Sequence, residues 1–231
     1  MDIRAISLDL DDTLWPIEPV MRHVEHQVDA WMREHCPEVA QAWPIEALRA
    51  LREEVAAAHP EIAHDFGAQR RLTLRRAFAP FGMGDDWVDT TYAVYVRLRN
   101  EVECYADTRP ALAALASRVP LIGITNGTAD LERIGLGAHF RFSVSAAEVG
   151  VAKPAAAIFL HACERLGIAP EHVLHVGDDP HADVSGARAA GMRTAWINRG
   201  GSTWTEPESP DLEIRDLGAL NEWLAQRAAI A

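Results

Sequence analysis

From Arg109 to Arg199 short apolar runs alternate with helical patterns, and most of those runs stop on polar residues. A helical stretch (Ala111–Ser117) leads into "VPLIGI" (Val119–Ile124), and another near Ala129–Leu136 leads into "FSVS" (Phe142–Ser145). A helix over Ala155–Leu166 precedes "VLHV" (Val173–Val176), a helix over His181–Ala190 precedes "RTAWI" (Arg193–Ile197), and a last helix covers Leu217–Ala228. Strands that alternate with helices build βαβ units, hence a parallel sheet with right-handed crossovers. The first strand lies far upstream, in Ile3–Leu10. Ile6, Leu8 and Leu10 fall on one parity and Ile3, Ala5 and Ser7 on the other, as in a central strand covered on both faces.

Between these parts the pattern turns helical. Val20, Val24, Val28 and Met32 fall on one face of a first helix. Leu48, Leu51 and Val55 mark a second helix between Pro44 and Pro60, Leu74, Ala77, Phe78 and Phe81 a third, and Val88 to Val102 a fourth. The expected architecture is α/β: a Rossmann-like parallel-sheet core (residues 1–14 and 106–231) whose first crossover is expanded by an all-helical insertion (15–105). Residues 199–210 read as a loop. The insertion's Trp31, Trp43, Trp87, Tyr92 and Tyr95, like Trp15 before them, read as core side chains at helical spacing, and His64, Asp65, Arg70 and Arg71 as a solvated helix face.

A net charge of -12 argues against nucleic acid or an anionic membrane as partner. No run of ~18 apolar residues occurs, so no span is expected. The cysteines, Cys36, Cys104 and Cys163, are odd in number and lack metal-ligand spacing, which fits a reduced, cytoplasmic setting. All basic residues but one are arginine; the exception is Lys153.

Ligands of an open parallel sheet bind beyond the carboxyl ends of its strands. The first end reads "DLDDTLWP", with Asp9, Asp11 and Asp12 within four residues. Carboxylates this close repel unless a cation joins them, and Mg²⁺ favours one or two carboxylates, waters and a substrate phosphate. A calcium loop starting at Asp9 fails, because Leu14 and Val20 stand where Gly and Glu are needed. The second end is "ITNG" (Ile124–Gly127), where Thr125 offers a hydroxyl and Gly127 a close backbone approach. The third is "GVAKP" (Gly150–Pro154), whose lone lysine supplies a compact charge where an arginine fork would be larger. The fourth is "GDDPHAD" (Gly177–Asp183). His175 reads as a sheet histidine and His181 as a residue at a helix start.

These four ends, in this order, resemble the haloacid dehalogenase-like hydrolase superfamily, in its helical-cap phosphatase branch. The resemblance implies a sheet of order 5-4-1-2-3 and a mobile helical cap that closes over the site. It implies that Asp9 is a nucleophile forming an aspartyl-phosphate and that Asp11 is the general acid and base. Thr125, Asn126 and Lys153 would bind the phosphoryl group. Asp9, the backbone carbonyl of Asp11 and Asp178 would hold Mg²⁺, with Asp183 near Lys153 or in the metal's outer shell; Asp12 carries no catalytic role. The substrate would be a small-molecule phosphate ester, with flavin mononucleotide or a nucleoside monophosphate as candidates, and the enzyme a monomer or homodimer. Dehalogenases of the superfamily share the nucleophile, and "WINR" (Trp196–Arg199) is similar to them, but they lack a carboxylate at the position of Asp11. A sugar phosphomutase is a further alternative. Phosphonate hydrolysis would need a lysine in the insertion, which has none. A non-catalytic phospho-acceptor or binding protein would need neither the second Asp nor every role filled.

Overall fold

Strand β1 (Ala5–Leu8) is buried along its whole length, as residues apolar or small on both parities require. It lies at the centre of a parallel sheet in a computed structural model that describes residues 2–228. On one side it pairs with β2 (Leu121–Thr125), which pairs with β3 (Ser143–Ser145). On the other it pairs with β4 (Val173–Gly177), followed by β5 (Arg193–Ile197) and β6 (Leu212–Ile214). The order is β3-β2-β1-β4-β5-β6, the expected five-strand arrangement with a sixth strand added at one edge. Parallel register brings the ends of β1, β2 and β4 to the same edge: Leu8 faces Gly123 on one side and Val176 on the other. The residues that follow those strands are the polar ones.

Residues up to Pro16 and from Glu103 onward form one compact unit, and Ile17–Val102 forms another. The second unit is helical: α1 (Ile17–His35), α2 (Pro37–Ala42), α3 (Ile45–Ala58), α4 (Phe66–Phe78) and α5 (Asp85–Arg99). Its core includes Met32, Val39, Leu74, Phe78 and Val88, with Trp31, Trp43, Trp87 and Tyr92 packed against them. α2 escapes sequence reading because six residues are too few to display a helical period, although Pro37 in its first turn suits a helix start. Asp65 is not a free polar residue: its carboxylate accepts the Ala68 N–H at 2.8 Å and caps α4.

The sheet unit carries α6 (Thr108–Ala116), α7 (Leu131–Ile134), α8 (Ala146–Val149), α9 (Ala156–Leu166), α10 (Gly186–Ala189) and α11 (Leu217–Ala228). α9 packs on β2, β3 and α10, and α6 packs on α11. Phe159 and Ile158 of α9 are fully buried against Ile122, Ile124 and Val144, each contributing about 1.5–3 kcal/mol by burial. The helix expected over 181–190 divides in two. A π-helical turn over Pro180–Ser185 precedes α10, and its start is capped by Asp179, whose carboxylate accepts the N–H groups of His181 and Ala182 at 2.8 Å. Among the described residues, no helix is long and apolar enough to cross a membrane. All three cysteines are free.

Candidate active site

The peptide N–H of Asp9 donates to the Val176 carbonyl at 2.9 Å, so the ladder between β1 and β4 runs one residue past β1 and fixes Asp9 at its tip. The chain then turns back within a few residues. Asp12 takes a left-handed φ of 57°, its N–H meets the Trp15 carbonyl at 2.7 Å, and the Leu14 N–H meets the Leu10 carbonyl at 2.8 Å. A short acidic residue tolerates this conformation better than a bulky one. The turn places the fully buried indole of Trp15 so that its N–H donates to Asp11 Oδ1 at 2.9 Å. Asp9 and Asp11 therefore belong to one tight structure whose two carboxylates have different partners.

Asp9 meets Lys153. The ammonium lies against Asp9 Oδ1 and donates to Asp183 Oδ1 at 2.6 Å, and all three residues are buried. Asp183 also accepts from His175 Nε2 at 3.2 Å and, through Oδ2, from the Asp179 N–H at 3.0 Å. His175 is a sheet histidine with a task. Burial lowers its pKa and keeps the ring neutral, so Nε2 carries the proton toward Asp183 while Nδ1 accepts from the Ser7 hydroxyl at 2.8 Å. Asp183 reaches this position because β4 ends in glycine; a Cβ at Gly177 would lie 2.2 Å from the Asp183 carboxyl carbon.

Thr125, at the end of β2, is buried, and its hydroxyl accepts the Gly127 N–H at 2.9 Å. The Asn126 side chain clasps the backbone of Lys153 from both sides: Nδ2 donates to its carbonyl at 3.0 Å and Oδ1 accepts its N–H at 2.8 Å. Its amide is spent on holding the lysine. Asp178 accepts the Thr13 hydroxyl at 3.2 Å, and its backbone carbonyl accepts the Trp196 indole N–H at 2.8 Å. His181 is exposed and stands 3.6 Å from Glu206.

The charges at this edge do not balance. Asp9, Asp178 and Asp183 each offer an oxygen, all within 4.8 Å of one another, against the single ammonium of Lys153. Burial opposes ionisation of Asp183, but Lys153 and His175 outweigh it and hold the carboxyl well below the usual range. Lys153 is held protonated by both carboxylates despite its burial. Asp9 is pushed well up by burial, with Lys153 pulling against it. Asp178 is pushed up to about 7 by burial, then by Asp183 and Asp12. A divalent cation would relieve this surplus, and a set of carboxylate oxygens is the donor chemistry of a hard cation such as Mg²⁺.

Sequence reading missed what stands behind the turn. Arg199 donates to the Thr13 carbonyl at 3.2 and 3.0 Å and forks onto both oxygens of Asp107 at 2.9 and 3.0 Å, with its guanidinium 3.9 Å from the Tyr105 ring centre. Burial raises the Asp107 pKa, but Arg199 and the Leu217 N–H outweigh it, so this carboxyl is held below its ordinary value. "WINR" marked Arg199 only through the family resemblance; nothing local in the sequence links it to Asp107.

Comparison with known proteins identifies the family. The family model for haloacid dehalogenase-like hydrolases matches residues 3–191. A 5-amino-6-(5-phospho-D-ribitylamino)uracil phosphatase of Escherichia coli is 33% identical over 94% of both chains. A phosphoserine phosphatase of Thermus thermophilus is 32% identical over 93% of this chain and 96% of its own. The crystal structure of a 2-haloacid dehalogenase from Pseudomonas syringae superposes with a TM-score of 0.91 at 35% identity, covering 97% of this chain and 99% of that one. Acidic strand ends on a parallel sheet and a family match over most of the length lead to one conclusion: this chain is an enzyme and belongs to the haloacid dehalogenase-like hydrolases.

Proposed function

We propose that the protein is a Mg²⁺-dependent phosphatase that hydrolyses a small-molecule phosphomonoester through an aspartyl-phosphate on Asp9. The observation that carries this reading is Asp11, a second carboxylate two residues from Asp9 and oriented by Trp15. Lys153 binds Oδ1 of Asp9 and leaves Oδ2 to attack phosphorus. As that P–O bond forms, the ester P–O bond breaks and Asp11 gives its proton to the departing alkoxide. The Asp11 carboxylate then takes a proton from a water that attacks the phosphorus, releasing inorganic phosphate and restoring Asp9. Thr125 and Lys153 meet the phosphoryl oxygens; Asn126 and Asp183 hold Lys153 in place. Asp9, Asp178 and the backbone carbonyl of Asp11 would hold Mg²⁺, whose charge offsets that of the nucleophile and substrate. Asp183 is assigned outside this ligand set because three donors already converge on its carboxylate, Lys153, His175 and the Asp179 N–H.

The substrate class we infer is the primary phosphate of a polyol or sugar attached to a nitrogen heterocycle. The Escherichia coli relative is, by its name, a phosphatase of a ribityl phosphate on a uracil, and flavin mononucleotide is a ribityl phosphate on a flavin. Free thiols and acidic charge suit a cytoplasmic enzyme.

A second reading comes from the 2-haloacid dehalogenase of Pseudomonas syringae. There Asp9 would displace halide from carbon, and water would cleave the resulting ester. Halide leaves without a proton, so Asp11 would have no task. Phosphate release from flavin mononucleotide, nucleoside monophosphates and an alkyl phosphate with Mg²⁺, set against chloride release from 2-chloropropionate, separates the two. Chloride without phosphate would overturn the phosphatase.

A further inference from the structure

The stretch that closes β5, Trp196 to Arg199, holds Asp178 twice. The Trp196 indole N–H donates to the Asp178 backbone carbonyl at 2.8 Å. Arg199 acts at one remove: its Nε and Nη2 donate to the Thr13 carbonyl at 3.2 and 3.0 Å, and the Thr13 hydroxyl donates to Asp178 Oδ1 at 3.2 Å. Thr13 is fully buried, so its hydroxyl has no water to turn to. The turn that carries it needs holding. Asp12, one residue earlier, is the one described residue other than glycine with a left-handed φ, 57°. Leu14, one residue later, is tied to the chain that returns from the helical insertion: the Tyr105 N–H and the Thr108 hydroxyl donate to its carbonyl at 3.0 and 2.8 Å. Arg199 completes the frame, because its fork on Asp107 and its place over the Tyr105 ring join that same returning segment to Thr13.

We propose that Arg199 is a positioning residue of the metal site: by fixing the Thr13 carbonyl it fixes the hydroxyl that aims the Asp178 carboxylate. The proposal rests on Asp178 being a ligand of the Mg²⁺ that the phosphatase reading calls for. Arg199 is no ligand itself, since a guanidinium has no lone pair to give a cation. It spends Nε and Nη2 on a carbonyl and Nη1 and Nη2 on a carboxylate, a division that a planar fork of five N–H donors permits and an ammonium does not. Asp107 neutralises the guanidinium and is itself fixed by the Leu217 N–H at 2.8 Å, so the position of the arginine is preset. A carboxylate left free to swing must be ordered as the cation binds. Loss of a group that orients a ligand from behind typically costs about 10–100-fold in metal affinity.

The test titrates the full chain, stripped of metal with EDTA and dialysed, with Mg²⁺ alone by calorimetry, and follows the rise of Tm with Mg²⁺ in parallel. Wild type is compared with Arg199→Lys, Thr13→Val and the double variant. Lysine keeps the charge beside Asp107 but cannot also reach the Thr13 carbonyl; valine keeps the shape of threonine and removes its hydroxyl. Each single variant is expected to bind Mg²⁺ about tenfold more weakly. The double variant is expected to bind about as weakly as Thr13→Val, because the arginine acts through that hydroxyl. An arginine that served the fold alone would either leave Mg²⁺ affinity unchanged or make the two losses multiply, to about a hundredfold. Wild-type affinity in Arg199→Lys, or multiplied losses in the double variant, would overturn the proposal. So would wild-type affinity in Thr13→Val, a result that holds even if the lysine variant does not fold. A wild-type chain that binds no Mg²⁺ would overturn the metal reading itself, and this proposal with it.

Discussion

Lys153 carries the most specific claim that one residue makes here, since the chain uses arginine at every other basic position. Its ammonium sits between Asp9 and Asp183 with 7% of the residue exposed, and Asn126 grips its backbone. A planar guanidinium placed there must displace one of the carboxylates. Lys153→Arg is expected to keep its fold by circular dichroism and lose ~10²-fold in kcat, the cost of a misplacement of about 1 Å. Wild-type turnover would take the lysine out of the chemistry. Trp15 makes a different kind of claim. Trp15→Phe keeps a buried ring and removes only the donor to Asp11. If that donor orients a proton-transfer group, the loss should depend on the leaving group: about tenfold for an alkyl phosphate, the worth of one charge-assisted hydrogen bond, and little for nitrophenyl phosphate. Equal losses on both would mean that the indole serves packing alone.

At the scale of elements, the end of β4 shows how a strand and a turn cooperate to make a site. Gly177 closes the strand, the π-helical turn opens at Pro180, and Asp183 folds back over Gly177 to reach Lys153. Gly177→Ala would set a methyl 2.2 Å from the Asp183 carboxyl carbon, so this carboxylate must move. The expected result is a fall of ~10²-fold in kcat with a destabilisation of about 1–3 kcal/mol from overpacking, read by steady-state kinetics and urea unfolding. A mild kinetic effect with the same loss of stability would show that Asp183 is dispensable for the reaction. Asp179, Asp183 and Gly177 are visible in "GDDPHAD", but the turn that joins them is not. A π-turn changes the hydrogen-bond register without changing the apolar spacing, so the stretch read as one regular helix. β6 was missed for a related reason, being three residues of which one is exposed, too short for alternation to show. The strands with strong periodicity were legible, and with them the polar ends, whereas the sheet order came only through the family that those ends resemble. Contacts between distant positions were not: Arg199 meets Thr13 across 186 residues and Asp107 across 92, and no local pattern encodes either.

For the molecule as a whole, the aspartate cluster sets stability against function. Among the described residues no basic side chain forms an ion pair with Asp178, and burial with Asp183 and Asp12 pushes its pKa up to about 7 from an ordinary value of 3.8. A raised carboxyl pKa means that the folded chain binds this proton more tightly than the unfolded chain does. Its contribution to stability is therefore present below about pH 4 and is lost as pH rises toward 7. Above that the ionised Asp178 is a net cost to the metal-free fold. Mg²⁺ would reverse the sign, since a ligand held only by the folded state stabilises it by ~2.7 kcal/mol at a hundredfold excess over Kd. Asp178→Asn removes the repulsion and weakens the metal site together. At pH 8 in EDTA this variant is expected to melt about 2–5 °C above the wild type, and in saturating Mg²⁺ below it, with little turnover. At pH 5 in EDTA the difference should shrink, because the wild-type carboxyl is then mostly protonated. Thermal melts of both proteins at the two pH values, with and without Mg²⁺, check all three signs. A variant less stable than wild type in EDTA at pH 8 would mean that Asp178 is held by favourable contacts such as the Thr13 hydroxyl, and that the cluster needs no cation to be tolerated.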